Sequence, residues 1–436
     1  MKKTKNNYKS RRHVGALAVA ALLLVLTACA GGPLSESRTP EGVIADGIES
    51  WNAPAELAPQ EEPAAETQEY RAVWLTYLEW QHTDFSSEEA FRAGAGEMLD
   101  KIQSLGANTV IAQVRPFGDA LYQSAYFPYS SLITGTQGQD PGYDPLAVLI
   151  AEAHARGLRL EAWINPYRIR LSETMPAQLS EDNPAVKWMA QEETAGYVHE
   201  VNGGLWFDPA EPEVQQLIVQ GVREVAANYD VDGIQFDDYF YPEGAQDDFD
   251  EAAYQKYGAG RSRADFRRDN VSALLKAVYA AIKEEKPSVE FGVSPQGNND
   301  NNYQIQYCDI AAMIAQPGYM DYVMPQLYWG YDFILKNGSD RFSFENCLDE
   351  WLAMPRHESV RLYVGLGAYR VGGGDGSYAE SSEWQSGGNL LRMVKTLREK
   401  GALGFGLYRY DSLYQNSCPD LAAREVENLA ALLGGA

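Results

Sequence analysis

Residues 231–242 read VDGIQFDDYFYP, and the way this stretch changes along its length decides the fold. It starts as a strand. Ile234 and Phe236 alternate with Gln235, Asp237 and Tyr239, and successive side chains of a strand point to opposite faces. One face is apolar and suits packing against helices. The other ends in an acid and a phenol at the strand's carboxyl end. That polarity gradient belongs to a parallel sheet with its chemistry at the strand ends.

Seven more apolar or β-branched runs lie outward from it. They are 70–77 (YRAVWLTY), 109–116 (TVIAQVRP), 158–166 (LRLEAWINP), 289–295 (VEFGVSP), 322–329 (YVMPQLYW), 361–370 (RLYVGLGAYR) and 401–410 (GALGFGLYRY). Amphipathic stretches separate them. Asp144-Pro145 before LAVLIAEAHARG predicts an N-cap followed by proline in the first helical turn, and Asp208-Pro209 predicts the same device before VQQLIVQGVREVAANY. VSALLKAVYAAIKEEK and LLRMVKTLREKG are further helices, and LAAREVENLAALL closes the chain. Strands alternating with helices imply a parallel sheet with helical crossovers. Eight such units predict an α/β fold, a single (β/α)8 TIM barrel over 69–436. A doubly wound open sheet fits less well, because no glycine-rich phosphate turn follows the first run.

The strand ends supply the candidate site. Strand two ends at Arg115, with Asp119 just beyond, and strand three carries Trp163, Asn165, Tyr167 and Arg168. Strand four ends Asp237-Asp238-Tyr239-Phe240-Tyr241. Strand six contributes Gln326, Tyr328 and Trp329, and strand eight Tyr408, Arg409 and Asp411. Aromatic faces beside hydrogen-bonding groups suit sugar rings, with their C–H faces and rims of hydroxyls. Two long loops, about 116–144 and 166–208, carry Tyr122, Tyr126, Trp188, Tyr197 and Trp206 as candidate cleft walls. Trp163, Asn165, Tyr328 and Tyr408 are expected to line one cavity.

Glycoside hydrolysis needs two carboxyl groups in most enzymes that perform it. Asp237 has axis-facing parity and is the first candidate. Asp238 should point aside, unless the strand ends there, and serve as a supporting acceptor. Strand seven ends without an acid, so the second group must come from Asp119, Glu243, Asp332 or Asp411. Asp119 leads, because it follows Arg115 in an Arg-Pro-Phe-Gly-Asp turn. With Arg115 nearby, Asp237 is expected ionised and Asp119 protonated. Glu161 lies deeper on strand three and reads as a buried structural acid.

The first 28 residues predict a lipoprotein signal peptide: six basic residues, then a short apolar run from Val14 to Leu26. Leu26-Thr27-Ala28-Cys29 resembles a lipobox, which would make Cys29 a lipidated anchor in a bacterial membrane, outside the cytoplasm. Residues 29–68, rich in Ala, Pro, Glu and Gly, predict a flexible acidic tether. The net charge of −25 argues against nucleic acid as a partner. The four cysteines form no disulfide framework, and the five histidines show no zinc-ligand spacing. Neither a metal nor a cofactor is expected.

AVWLTYLEW, QVRPFGDALYQS, GYDPL, AWINPYR, FDPAEPEV, DGIQFDDYFYP and MPQLYW together resemble glycosyl hydrolase-like family 10, over residues 70 to about 410. The resemblance implies an exported (β/α)8 barrel, often a lipoprotein, that hydrolyses glycosidic bonds in an extracellular polysaccharide such as the glycan strands of peptidoglycan. It places family-typical positions on Arg115, Asp119, Asn165, Asp237, Asp238 and Tyr239. Glu161 departs from the pattern, where histidine is expected. DGIQFDDY bears a fainter similarity to family-18 chitinases, but the place of their catalytic acid holds Tyr239, so their acetamido-assisted chemistry is not expected here. The competing reading is a non-catalytic glycan-binding lipoprotein on a degenerate barrel.

Overall fold

The computed structural model describes residues 68–246 and 248–435. The expected signal peptide, Cys29 and the tether up to residue 67 lie outside the described residues. The strands of the main sheet are β1 (Tyr70–Leu75), β2 (Thr109–Arg115), β3 (Arg159–Ile164), β4 (Gly233–Phe236) and β5 (Glu290–Val293), followed by β6 (Tyr322–Val323 and Gln326–Leu327), β7 (Arg361–Leu362 and Val364–Leu366) and β8 (Gly404–Leu407). Each pairs in parallel with the next. β8 returns to β1, with Leu407 opposite Val73. β6 is interrupted at Pro325, which has no N–H to give its neighbour. The break does not open the ring: the Met324 N–H donates to the Val293 carbonyl at 2.8 Å, and the Gly365 N–H to the Pro325 carbonyl at 2.9 Å. The result is a closed eight-stranded barrel.

The crossovers are helices α1 (Glu88–Ser104), α2 (Pro145–Ala155), α3 (Pro212–Asn228), α4 (Arg263–Glu285), α5 (Ile310–Ile314), α6 (Phe344–Ala353), α7 (Asn389–Glu399) and α8 (Pro419–Leu433). α1 shows why they form and where they sit. Ser87 caps it by accepting from the Ala90 N–H, and Phe91, Ala95, Leu99 and Ile102 recur on one buried stripe. Each large member of such a stripe is worth about 1.5–3 kcal/mol on full burial. Asp144 caps α2 as its sequence predicts, with Pro145 in the first turn. The second expected cap falls three residues later. α3 starts at Pro212 after Glu211, while Asp208 accepts from the Ala210 N–H in the preceding turn.

The barrel interior is a separate aromatic cluster of Tyr70, Trp74, Ile111, Trp163, Tyr322, Met324 and Tyr363. Glycines make room for it. A Cβ on Gly292 would lie 1.9 Å from the Tyr322 ring, and one on Gly406 would lie 2.6 Å from Trp74. A chain of hydrogen bonds runs through it: Trp74 Nε1 donates to Gln235 Oε1 at 2.8 Å, Gln235 Nε2 to the Tyr322 hydroxyl at 3.0 Å, and that hydroxyl to Glu161, while the Tyr70 hydroxyl and the Trp163 indole N–H stay without a partner. Glu161 is fully buried, as a structural acid, and its carboxyl is pushed up to about 7, chiefly by desolvation. The sequence of 166–208 predicts a long loop. It holds a three-stranded antiparallel sheet, Arg168–Arg170, Gly204–Phe207 and Val198–Val201, and a short helix, Pro184–Met189.

Candidate active site

Strand β4 ends at Phe236, so Asp237 and Asp238 leave the pleat and its alternation no longer governs them. Both stay buried at the carboxyl mouth of the barrel, 3% and 8% exposed. Asp237 turns toward β3. It accepts from Asn165 Nδ2 and, at 3.1 Å, from the Tyr239 N–H. Asn165 is itself fixed by Gln113, whose Nε2 donates to Asn165 Oδ1 at 2.5 Å. Asp238 turns the other way, toward β5 and β6. Gln296 Nε2 and Gln326 Nε2 each donate to one of its oxygens at 3.0 Å. The strand-end escape from alternation thus applies, and Asp238 belongs to the mouth.

The cation beside this pair is Arg168. Its guanidinium lies 5.1 Å from the Tyr239 ring centroid, and it donates to the Pro116 carbonyl at 3.0 Å and to Asn165 Oδ1 at 3.3 Å. The expected neighbour, Arg115, is elsewhere. The β2–β3 register shifts between Gln113 and Arg115, which breaks the alternation that would have aimed Arg115 at the axis. Its guanidinium instead stacks 4.2 Å from the Phe127 ring centroid, against Gly221 of α3. Arg168 stands in the AWINPYR segment, and that was the only signal for it in the sequence.

Burial, and then the charge of Asp238, push the Asp237 carboxyl up to about 7; Arg168 and the two hydrogen bonds oppose this and lose. Asp238 is also raised by burial, against the pull of its two glutamine donors. The expectation of an ionised Asp237 is therefore corrected. Burial and the mutual repulsion of two adjacent acids favour a proton on this pair well above the ordinary carboxyl range.

Asp119 is corrected too. It is sealed in the loop after β2, 0% exposed, where it accepts from Gln137 Nε2 at 2.8 Å, and desolvation raises it to about 6. Among the other acids considered, Asp411 pairs with Arg409 at 3.1 Å, Asp332 accepts from the Ser381 hydroxyl at 2.8 Å, and Glu243 is exposed. Arg409 also pairs at 2.5 Å with Glu79, an acid at the end of β1 that strand parity did not single out.

The aromatic wall assembles across the mouth. Tyr328 and Tyr408 stack at 5.6 Å, and Tyr408 lies edge-on to Trp163 at 6.5 Å and to Trp74 at 5.9 Å. Tyr369, not foreseen, meets Tyr328 at 5.5 Å, and Trp206 lies 6.5 Å from Tyr239. Asn165 and Gln326 reach the same mouth through the aspartates. Three expected wall residues do not. Tyr167 is fully buried in the outer core. Tyr241 is buried between Phe249 and Tyr307, and Trp329 packs on Phe333 and Phe342 in the loop after β6. Of the loop aromatics, Tyr122 is fully buried and Trp188 packs on Tyr197 and Phe207. Among the described residues no group of three or more His, Cys, Asp or Glu side chains stands in metal-binding geometry.

The arrangement offers a proton donor, an adjacent carboxylate, a buried cation and stacked phenols in one opening. The family model described as glycosyl hydrolase-like 10 matches residues 69–384. The chain is 36% identical over 370 residues to glycosyl hydrolase YngK of Bacillus subtilis, spanning 79% of this chain and 69% of that one. It is 34% identical over 432 residues to glycosyl hydrolase DigH of Escherichia coli K12, spanning 91% and 92%. Among solved structures, the PgaB glycoside hydrolase domain from Bordetella bronchiseptica superposes with a TM-score of 0.51 at 16% identity, over 82% of this chain and 98% of that one. A β-galactosidase from Marinomonas gives a TM-score of 0.55 at 12% identity, over 84% and 59%. At such identities these two likenesses concern the fold alone.

Proposed function

Because the chain belongs to the glycosyl hydrolase-like 10 family and is accordingly a glycosidase, we propose that it cleaves an extracytoplasmic polysaccharide, the glycan strands of peptidoglycan in particular. The observation that carries this reading is the Asp237–Asp238 pair, buried at the end of β4 inside a mouth walled by Tyr239, Tyr328, Tyr369 and Tyr408. In it, Asp237 donates its proton to the glycosidic oxygen as the bond breaks. Asn165, itself braced by Arg168, holds that carboxyl in place, and Gln296 and Gln326 hold Asp238 as the carboxylate beside it. The tyrosine rings supply the apolar face on which a pyranose stacks.

The setting outside the cytoplasm rests on the sequence: a basic head, a short apolar run and Cys29 in a lipobox-like stretch followed by an acidic tether. Incubation of the purified protein with intact peptidoglycan, and with strands stripped of stem peptides, followed by mass analysis of the products, tests the reading. Release of shortened, even-numbered saccharides is expected. Unchanged glycan in both incubations would refute it.

A further inference from the structure

Strand β5 runs out into residues 296–306, QGNNDNNYQIQ, in which seven of eleven side chains are carboxamides and none is a cation. This segment supplies the end of β4 with neutral hydrogen-bonding partners. It reaches Asp238 through Gln296, whose Nε2 carries two hydrogens. One goes to Asp238 Oδ2 at 3.0 Å. The other goes to Gln306 Oε1 at 3.2 Å. Gln306 is 2% exposed, and its surroundings fix which way its amide faces. The Tyr241 and Asp238 carbonyls can only accept, so the Gln306 nitrogen faces them, at 2.8 and 2.9 Å, and its oxygen faces the Gln296 donor. One side chain thus closes the turn from Asp238 to Tyr241 and holds a donor to the Asp238 carboxyl. The same turn aims the Tyr239 N–H at Asp237.

Backbone strain accompanies its placement. Ile305 is exposed, Gln306 is buried, and Tyr307 then takes a φ of 52°, a left-handed conformation that residues other than glycine rarely adopt. Arg267 holds Tyr307 there by donating to its hydroxyl at 3.0 Å, and the Tyr241 ring meets it edge-on at 5.2 Å. The Gln306 N–H donates to the Asn301 carbonyl at 3.0 Å. Asn302 brackets Gln296 in turn: its Oδ1 accepts from the Gln296 N–H at 2.9 Å, and its Nδ2 donates to the Gln296 carbonyl at 2.8 Å. The neutrality of these partners has a chemical consequence. A second cation beside Arg168 would orient Asp238 and also keep the pair ionised. Carboxamides orient it while burial and mutual repulsion still favour a proton on the pair.

We propose that Gln306 is a positioning residue of the glycosidase reaction, setting the direction of the Asp238 carboxyl through Gln296 and that of the Asp237 carboxyl through the turn from Asp238 to Tyr241. This rests on the role given to the acid pair above. Gln306 is buried behind the pair and acts without reaching the sugar. Without its amide, the second Gln296 hydrogen loses its acceptor and two buried carbonyls lose a donor. Both acids remain, but their aim is loosened. Proton transfer depends steeply on such aim. Binding depends on it less, because the tyrosine wall holds the sugar independently.

The test uses the full chain on stem-free glycan strands. Gln306→Met keeps the length of the side chain and removes every hydrogen bond of its amide. It should lower kcat about thirtyfold with KM changed less than about threefold. Hydrogen bonds to a carboxylate favour its charged form, so loosening those on Asp238 should also move the pH–rate limb of the pair upward, by roughly half a pH unit. Gln306→Glu gives a second reading that stands even where the methionine variant does not fold. Protonated, at about pH 5, the introduced carboxyl donates to one carbonyl and accepts from Gln296; ionised, at about pH 8, it repels both carbonyls. Its kcat relative to the native protein should be about tenfold higher at the lower pH. Native kcat in the methionine variant, a lowered kcat with an unmoved limb, or a glutamate variant whose relative kcat ignores pH overturns the inference while leaving a glycosidase in place. Absence of cleavage by the native protein overturns both the inference and the function it rests on.

Discussion

Asp237→Asn separates stability from activity, and its effect can be worked from the burial of one carboxyl. In the folded protein Asp237 is raised from the ordinary 3.8 to about 7. Between those two values the folded state binds a proton that the unfolded state has released. Stability therefore falls as pH rises through this window, and above pH 7 the ionised carboxylate costs the fold the full difference. At about 1.36 kcal/mol per pH unit the difference is about 4 kcal/mol. An asparagine carries no such cost. Its single carbonyl oxygen keeps one of the two donors, Asn165 or the Tyr239 N–H, and losing the other returns about 1 kcal/mol. The variant should then be about 3 kcal/mol more stable than the native protein at about pH 9, and equal or slightly less stable at about pH 4. Denaturant unfolding at both pH values measures this, alongside an assay on stem-free glycan strands in which turnover is expected to vanish. The same stability gap at both pH values would refute the claim that Asp237 is held neutral by burial. Native turnover by the variant would remove it from the chemistry.

Four further outcomes are expected. Gln326→Ala leaves Asp238 with one glutamine donor and should lower kcat about tenfold with little change in KM, measured by steady-state kinetics. Tyr408→Ala removes the ring stacked on Tyr328 and should raise KM by about tenfold; because Tyr408 is half-buried, the thermal midpoint should move by only a few degrees. Gly292→Ala drives a methyl into the Tyr322 ring, and overpacking of about 3 kcal/mol or more should appear as a lowered unfolding midpoint or loss of soluble protein. Cys29→Ser should release the protein from the membrane fraction or leave it unprocessed, whereas unchanged fractionation and processing would count against the lipid anchor.

The features that local chemistry governs were legible in the chain. Strand runs and helix stripes announce the eight crossovers, because period-two and period-3.6 patterns act within a few residues. The strand-end rule placed Asp237, Asn165, Tyr328 and Tyr408 at one mouth, and depth along β3 marked Glu161 as structural. Tertiary structure decided the rest. A register shift at Gln113–Arg115 turned Arg115 outward, an event set by how β2 meets β3 and invisible in β2 itself. Arg168 took its place because an antiparallel excursion folds back over the strand ends. Asp119 left the mouth because Gln137, 18 residues away, draws it into the loop. Tyr167 and Tyr241, polar enough for a cleft, were taken by the outer core. The protonation of Asp237 could not be read from its neighbours in sequence, since it depends on how completely distant segments exclude water from the end of β4. Pattern names the strand and its end; which side chains converge there depends on barrel register and on loops that only the folded chain brings together.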